Sequence, residues 1–434
     1  MSLVIVGIIG IVSLLLILFI LGMPVGFAMA ITGFLGFSYI ISMKAGLNMA
    51  GSVLWETFSS YGLTVIPLFI FMGQISFHSG VNEKLYNAAY KWVGHIRGGL
   101  AMATVLACAA FSAICGSNAA TAATMTTVAL PQMKKYKYNA KLSTGTIACG
   151  STLGVVIPPS VVLIVIGLST QQSIARLFYG AIGAGILLTG LFMLTIYILC
   201  RIYPEWGPAG PKTTLLEKIK GLSGAFEIGL LFILVMAGLF FGFFTPTEAG
   251  AVGCFFAVVI CLIQRTLTWK GFVDSIKETL QISCMVITIV AGAMIFGRFL
   301  AITRIPFDIA DWVVNLPVPS LVIIIIVFAI YVVGGAIMDA LALLLITIPI
   351  FFPVAIELGY DPLWFAVTIT IITTLGAVTP PVGATTYVVA GIAKDVPIRD
   401  VFKGVSYFLL AYIVCVLVLI VFPDIILFLP SLLK

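Results

Sequence analysis

Within ten residues of one apolar run, Ser112, Cys115, Ser117, Asn118 and Thr121 supply hydroxyl, thiol and amide groups, with no charged residue or histidine among them. Neutral oxygens of this kind suit a weakly held monovalent cation, with sodium the first candidate, whereas a divalent ion wants Asp or Glu. The run itself, from Gly99 to Pro131, is uncharged and long enough to cross a bilayer. Gly116, Ser117 and Asn118 are poor helix continuers near its midpoint, so the helix is expected to break there and turn back, freeing carbonyls as further ligands. Irregular backbone at membrane depth persists only where protein or a polar cavity covers it, so such a break marks a site.

A second break follows in Ser151-Thr-Leu-Gly-Val-Val-Ile-Pro-Pro-Ser160, where Gly154 and Pro158-Pro159 remove helical hydrogen bonds and the carbonyls near Gly154 and Ile157 come free. The pair recurs in the C-terminal half. Gly334-Gly335-Ala-Ile-Met-Asp339 interrupts the run from Val318 to Ile356, and Thr374-Leu-Gly-Ala-Val-Thr-Pro-Pro-Val-Gly383 interrupts the next. Gly116 and Gly154 are 38 positions apart, Gly335 and Gly376 41, and an internal duplication is the economical reading. Gly335, Gly376, Thr379 and Val382 then offer the second half the ligands of the first. One such stretch alone reads as close helix packing through small residues; four in two matched pairs read as sites.

Two ionisable residues fall inside apolar runs. Arg298 has a guanidinium fork that fits a substrate carboxylate, or it snorkels to a surface about one turn away, with Arg304 as the competing cation. Asp339, at the second interruption, accepts from a substrate or caps the backbone donors of the turn. Ser117 and Ser160 complete the substrate contacts assigned here. The two histidines, His78 and His95, fall at loop boundaries, and the eight cysteines form no Cys-x-x-Cys pair, so neither a histidine triad nor a thiolate metal site is expected.

The elements that must carry these residues follow from composition. The chain is 62% hydrophobic and 9% charged over 434 residues, against about 25% charged in soluble domains. It is read as an all-α polytopic membrane protein starting near Met1, without a cleaved leader. Spans are expected near 3–22, 24–43, 61–78, 143–170, 176–200, 224–244, 246–264, 280–302, 362–394 and 404–430, with short external loops at 44–60 and 303–317. The segments 84–97, 134–141, 201–220, 265–277 and 394–403 are basic and assigned to the cytoplasm. The interrupted run at 99–131 is flanked by basic segments on both sides and is read as a re-entrant hairpin from the cytoplasm. The run at 318–356 lies between acidic segments and is read as a hairpin from the opposite face. Residues 1–210 and 222–434 are then inverted repeats, joined by an amphipathic linker helix at 211–221 with Leu215, Leu216 and Ile219 on one face and Lys212, Lys218 and Lys220 nearby. Inverted repeats with paired half-helices are the architecture of secondary transporters.

With Cys115-Gly-Ser-Asn-Ala-Ala-Thr-Ala-Ala, Thr152-Leu-Gly-Val-Val-Ile-Pro-Pro-Ser, Gly335-Ala-Ile-Met-Asp-Ala, Ile348-Pro-Ile-Phe-Phe-Pro and Thr374-Leu-Gly-Ala-Val-Thr-Pro-Pro-Val-Gly in this order, the chain resembles the large membrane subunit of tripartite ATP-independent periplasmic (TRAP) transporters, the DctM-like family. The resemblance implies an elevator carrier in the bacterial inner membrane, with scaffold and transport domains and no enzymatic activity. It implies sodium-driven uptake of an organic acid, such as sialic acid or a C4-dicarboxylate. A soluble periplasmic binding protein would deliver the acid, and a small four-span subunit, expected as a separate chain, would clasp the scaffold. Carried onto this sequence, one sodium site uses Ser112, Cys115, Ser117, Asn118, Gly154, Ile157 and Pro159, and another Gly335, Gly376, Thr379 and Val382. Many relatives have Ser in place of Cys115, a change that a backbone carbonyl ligand survives and a hydroxyl ligand does not. A self-sufficient sodium-coupled dicarboxylate symporter of the divalent-anion type shares the paired hairpins and is the rival reading.

Overall fold

The computed structural model describes residues 2–211 and 213–433, and every regular element among them is a helix. Helix α1 (Leu3–Leu21) ends at Gly22, whose backbone is left-handed at φ 59°, just before Pro24. After α2 (Val25–Ile40), the stretch expected as an external loop at 44–60 is instead helix α3 (Met43–Phe58), started by Ser42, which accepts from the Ala45 N–H at 3.2 Å. Its polar residues, among them Lys44, Asn48 and Glu56, hold its hydropathy down and hid it from a search for uniformly apolar runs. The basic segment at 84–97 follows α4 (Val65–His78) and is largely helical too, as α5 (Val81–Val93), which buries Leu85, Tyr86 and Ala88.

The first interrupted run is a pair of helices, α6 (Gly99–Cys115) and α7 (Asn118–Lys135), which pack on each other after the turn at Gly116 and Ser117. At 17 residues α6 is about 25 Å long, a little short of the roughly 30 Å hydrocarbon core. The second broken segment is α8 (Ala140–Ser151), α9 (Leu153–Val156) and α10 (Val161–Thr170), and α11 (Ile174–Ile202) closes the first half. Helix α12 runs unbroken from Leu215 to Phe240, so the amphipathic stretch expected at 211–221 is continuous with the span behind it. A capping box of Thr214 and Glu217 starts it, and Leu215, Leu216 and Ile219 are exposed. Lys212 and the side chain of Lys220 lie outside the described residues.

Then come α13 (Pro246–Ile263) and the 35-residue α14 (Trp269–Thr303), much longer than the span expected at 280–302. The second supposed external loop, 303–317, holds α15 (Ile305–Val314). The second interrupted run is α16 (Ser320–Gly335) and α17 (Ala340–Glu357), the second broken span α18 (Pro362–Val378) and α19 (Ala384–Ile392), and α20 (Ile398–Val421) and α21 (Asp424–Ser431) end the chain. Among the described residues, eight helical stretches are long and apolar enough to cross a membrane.

The halves share a register. Helices α7 and α17 each have 18 residues and run from 118 to 135 and from 340 to 357, an offset of 222 at both ends. The same offset relates their N-caps Ser117 and Asp339, the N-caps Asn139 and Asp361 of α8 and α18, and the pairs Pro158-Pro159 and Pro380-Pro381. Helix α14 packs on α2, α3 and α4, while the hairpins and broken helices pack among themselves and on α11 and α20, with α4 on α6 and α14 on α17 joining the two groups.

Candidate functional site

Each hairpin turn rests on a broken helix. In the first, Gly116 takes a left-handed backbone (φ 60°) that ends α6, and Ser117 starts α7 by accepting from the Ala120 N–H at 3.4 Å. The turn lies directly on Gly154: a methyl group there would stand 2.7 Å from the Ser117 carbonyl oxygen and 3.1 Å from the Asn118 nitrogen. Only glycine lets two backbones meet at that distance. Proline has no N–H, so Pro158 and Pro159 leave the carbonyls of Gly154 and Val155 without their helical donors. Ser160 is fully buried and starts α10, accepting from the Leu163 N–H at 3.5 Å.

Two side-chain oxygens complete this pocket. Ser112 Oγ and Asn118 Oδ1 are both buried and have no hydrogen-bond partner among the described residues. Burying a polar oxygen unpaired costs about 1–3 kcal/mol, which an ion or water in contact with it removes. Cys115 is buried with its backbone against Gly73 of α4, and the next residue, Gln74, also carries a buried amide oxygen without a partner. Thus Ser112, Cys115, Ser117 and Asn118 share one end of the hairpin, where Ser117 and Asn118 lie against Gly154 and Gly116 lies against Pro159 and Ser160. Ile157, between them, donates its N–H to the Leu153 carbonyl at 2.8 Å.

The second turn is built differently. A methyl group on Gly335 would stand 2.7 Å from the Thr373 carbonyl oxygen, and one on Gly376 2.7 Å from the Gly335 backbone. The Ala336 carbonyl accepts from both Val382 and Gly383 N–H at 3.1 Å, pinning the turn to the broken helix. Thr379 Oγ1 donates to the Leu375 carbonyl at 2.7 Å, so its hydroxyl keeps lone pairs for a ligand but no proton. Gly335, Gly376, Thr379 and Val382 therefore meet as expected, yet none of them carries a buried unpartnered side-chain oxygen. Helices of the two turns are in contact: α19 packs on α7, α9 on α18, and α10 on α17 and α18.

Asp339 caps α17, its Oδ2 accepting from the Leu341 N–H at 3.0 Å, which is one of the two roles open to it from sequence. It also borders a groove with Phe27 of α2 and Cys284, Met285 and Thr288 of α14. Arg298 is not brought to either turn. Ten residues beyond Thr288, it is about 15 Å farther along α14. Its guanidinium lies 3.6 Å from Glu56 of α3, both side chains more than half exposed, at the edge of a cavity of about 390 Å³ whose walls include Glu56, Ser60, Ser169, Gln171 and Gly297. Arg304 is exposed at the α14–α15 junction. Sequence reading missed Glu56 and Gln74. The first lay in a supposed loop, and the second, an amide amid apolar residues of α4, was a signal left unused.

Among the described residues, no group of three or more His, Cys, Asp or Glu could hold a metal ion. Apart from the Asp339 carboxylate, which caps α17, the two turns offer neutral oxygen, a donor set that suits a monovalent cation.

Residues 12–425 match the family model described as "Tripartite ATP-independent periplasmic transporter, DctM component". The chain is 33% identical over 379 residues to the C4-dicarboxylate TRAP transporter large permease protein DctM of Pseudomonas aeruginosa, covering 87% of this chain and 88% of that protein. It is 31% identical over 413 residues to the sialic acid TRAP transporter large permease protein SiaM of Vibrio cholerae, covering 95% of each. Its fold is similar to that of the Alcanivorax borkumensis YdaH transporter, with a TM-score of 0.62 at 16% identity over 88% of this chain and 90% of that one.

Proposed function

This chain belongs to the DctM component family of tripartite ATP-independent periplasmic transporters, multi-pass permeases of bacterial membranes, and on that premise we propose that it takes up an organic acid together with sodium. Similar proteins named for C4-dicarboxylates and for sialic acid support a carboxylate-bearing acid as the substrate. The observation that carries the sodium reading is the pair of buried, unpartnered oxygens, Ser112 Oγ and Asn118 Oδ1, at a turn where prolines also free backbone carbonyls. The 222-residue register supports a duplicated chain. Its halves, inverted across the inner membrane, would hold the hairpins and broken helices as a transport domain that moves in an elevator fashion against a scaffold built around α2 and α14. A periplasmic binding protein and a small four-span membrane subunit are the partners on this reading.

Asn118→Ala removes one ligand oxygen and little volume. Half-activating sodium for uptake should rise about tenfold, the loss of roughly 1.4 kcal/mol from a single charged contact. Thr379→Ala should do less, since that site has more backbone ligands. A sodium activation curve unchanged in Asn118→Ala would overturn the assignment of the first site.

Arg298 is the proposed anchor for the substrate carboxylate, exchanging Glu56 for the incoming acid at the cavity edge. Lysine keeps the charge and loses the bidentate fork. Uptake by Arg298→Lys should therefore fall nearly as far as in Arg298→Ala, with the loss in KM for the acid and none in sodium dependence. Wild-type KM in Arg298→Lys would make the residue a structural partner of Glu56.

A further inference from the structure

The cavity beside Arg298 is uneven in charge. Glu56 is the one charged residue in its wall among the described residues, and Arg298, 3.6 Å from it, supplies a cation at the edge. The polar remainder is hydroxyl and amide, from Ser60, Ser169 and Gln171, set among apolar side chains. Two helices also end here. Glu56 lies in the last turn of α3, which stops at Phe58, and Gln171 is the residue that ends α10. Helix C-termini carry partial negative charge, so a glutamate in a last turn stands against the dipole of its own helix. Gln171 has a left-handed backbone, φ 56° and ψ 29°, which glycine takes freely and a residue with a Cβ does not. Folding alone would favour neither side chain at its position.

We propose that Glu56 and Gln171 set the specificity of this cavity, for an acid with a single carboxylate whose remaining polar groups are hydrogen-bond donors, hydroxyl or amine. The substrate carboxylate takes Arg298 from Glu56, and the released Glu56 needs a donor in its place. A hydroxyl or an ammonium group supplies one. A second carboxylate instead meets Glu56 and two helix C-termini, with no cation in the wall to offset the loss of its water. Dicarboxylates, for which some similar proteins are named, are therefore disfavoured here. Gln171 offers the neutral body of the acid an amide that both donates and accepts, which suits hydroxyls. A volume of about 390 Å³ is ample for a small polyhydroxy acid. This inference rests on the reading of Arg298 as the carboxylate anchor, and its test separates the two.

Calorimetric binding to the transporter in lipid nanodiscs at saturating sodium, with no binding protein present, reads the cavity directly. The probes share one sugar-acid frame: gluconate, its terminal-amine analogue and glucarate end in hydroxyl, ammonium and carboxylate. Wild type should bind gluconate or the amine about tenfold more tightly than glucarate, the scale of one uncompensated like-charge contact, and the tighter of the two names the donor. In Glu56→Gln the gap to glucarate should close to about twofold, and Arg298→Ala should lose all three probes. Gln171→Gly suits the left-handed backbone, so the melting temperature should hold or rise while gluconate binds about threefold more weakly, the scale of one neutral hydrogen bond. A Gln171 that serves only the fold would leave gluconate binding unchanged, and that result would strike it from the proposal. Glucarate bound as tightly as gluconate by wild type, or a gap that persists in Glu56→Gln, would overturn the specificity and leave Arg298 as the anchor. Binding undiminished in Arg298→Ala, or no binding of any probe by wild type, would overturn the anchor reading and this inference together.

Discussion

Gly154→Ala is expected to abolish most uptake, to below about a tenth of wild type, and Gly376→Ala to do the same. In an unconstrained helix the change to alanine stabilises by up to about 1 kcal/mol. Here the new methyl would stand 2.7 Å from the Ser117 carbonyl oxygen in one case and 2.7 Å from the Gly335 backbone in the other. Both obstacles are backbone, which has no rotamer to yield, so the turn must lift from its broken helix and the ligands on the two sides separate. An ångström of misplacement in a preorganised site costs about a hundredfold in rate, in addition to overpacking of roughly 1–3 kcal/mol. Gly190→Ala is the control, since a methyl there meets nothing within 4 Å. Uptake per folded protein within twofold of wild type in Gly154→Ala would show that the turn does not need to sit on the break.

Acid uptake by this chain alone in liposomes is expected to be near background and to appear only when the small membrane subunit and the acid-loaded binding protein are added. The family supplies the expectation, and the surface agrees with it. Helix α1 keeps eleven of its sixteen large apolar residues exposed, which leaves a face for lipid or for a membrane partner. The connections at 44–60 and 303–317 are the short helices α3 and α15, with Trp55, Phe58, Phe307 and Trp312 exposed, and they form no domain that would capture a scarce acid. Robust uptake by the chain alone would favour a self-sufficient carrier of the divalent-anion type.

The helix breaks of the candidate site were legible because breaking a membrane helix requires a short list of residues. Gly116, Gly154, Pro158-Pro159, Gly376 and Pro380-Pro381 mark turns that the structure contains, and their neighbours meet as expected. The register between the halves was not legible from glycines. Pairing Gly116 with Gly335 gave unequal spacings, whereas the matched residues are Ser117 and Asp339, different side chains that both cap the helix following the turn. Gly335 serves another need, the close approach to Gly376. Helices α3 and α15 escaped because hydropathy detects residues surrounded by lipid and overlooks an element with one polar side. With α3 went Glu56, and Arg298 looked like an unpaired cation although it faces a carboxylate 3.6 Å away.

Sodium entering the two hairpin sites is proposed to drive uptake of the acid. The most direct measurement is accumulation of a labelled acid by proteoliposomes holding the complete transporter, with an inward sodium gradient or with equal sodium on both sides. The account expects the gradient to accumulate acid above its external concentration, with most of that accumulation lost in Asn118→Ala at low sodium and restored at high sodium. Accumulation of equal size with potassium replacing sodium throughout would contradict it.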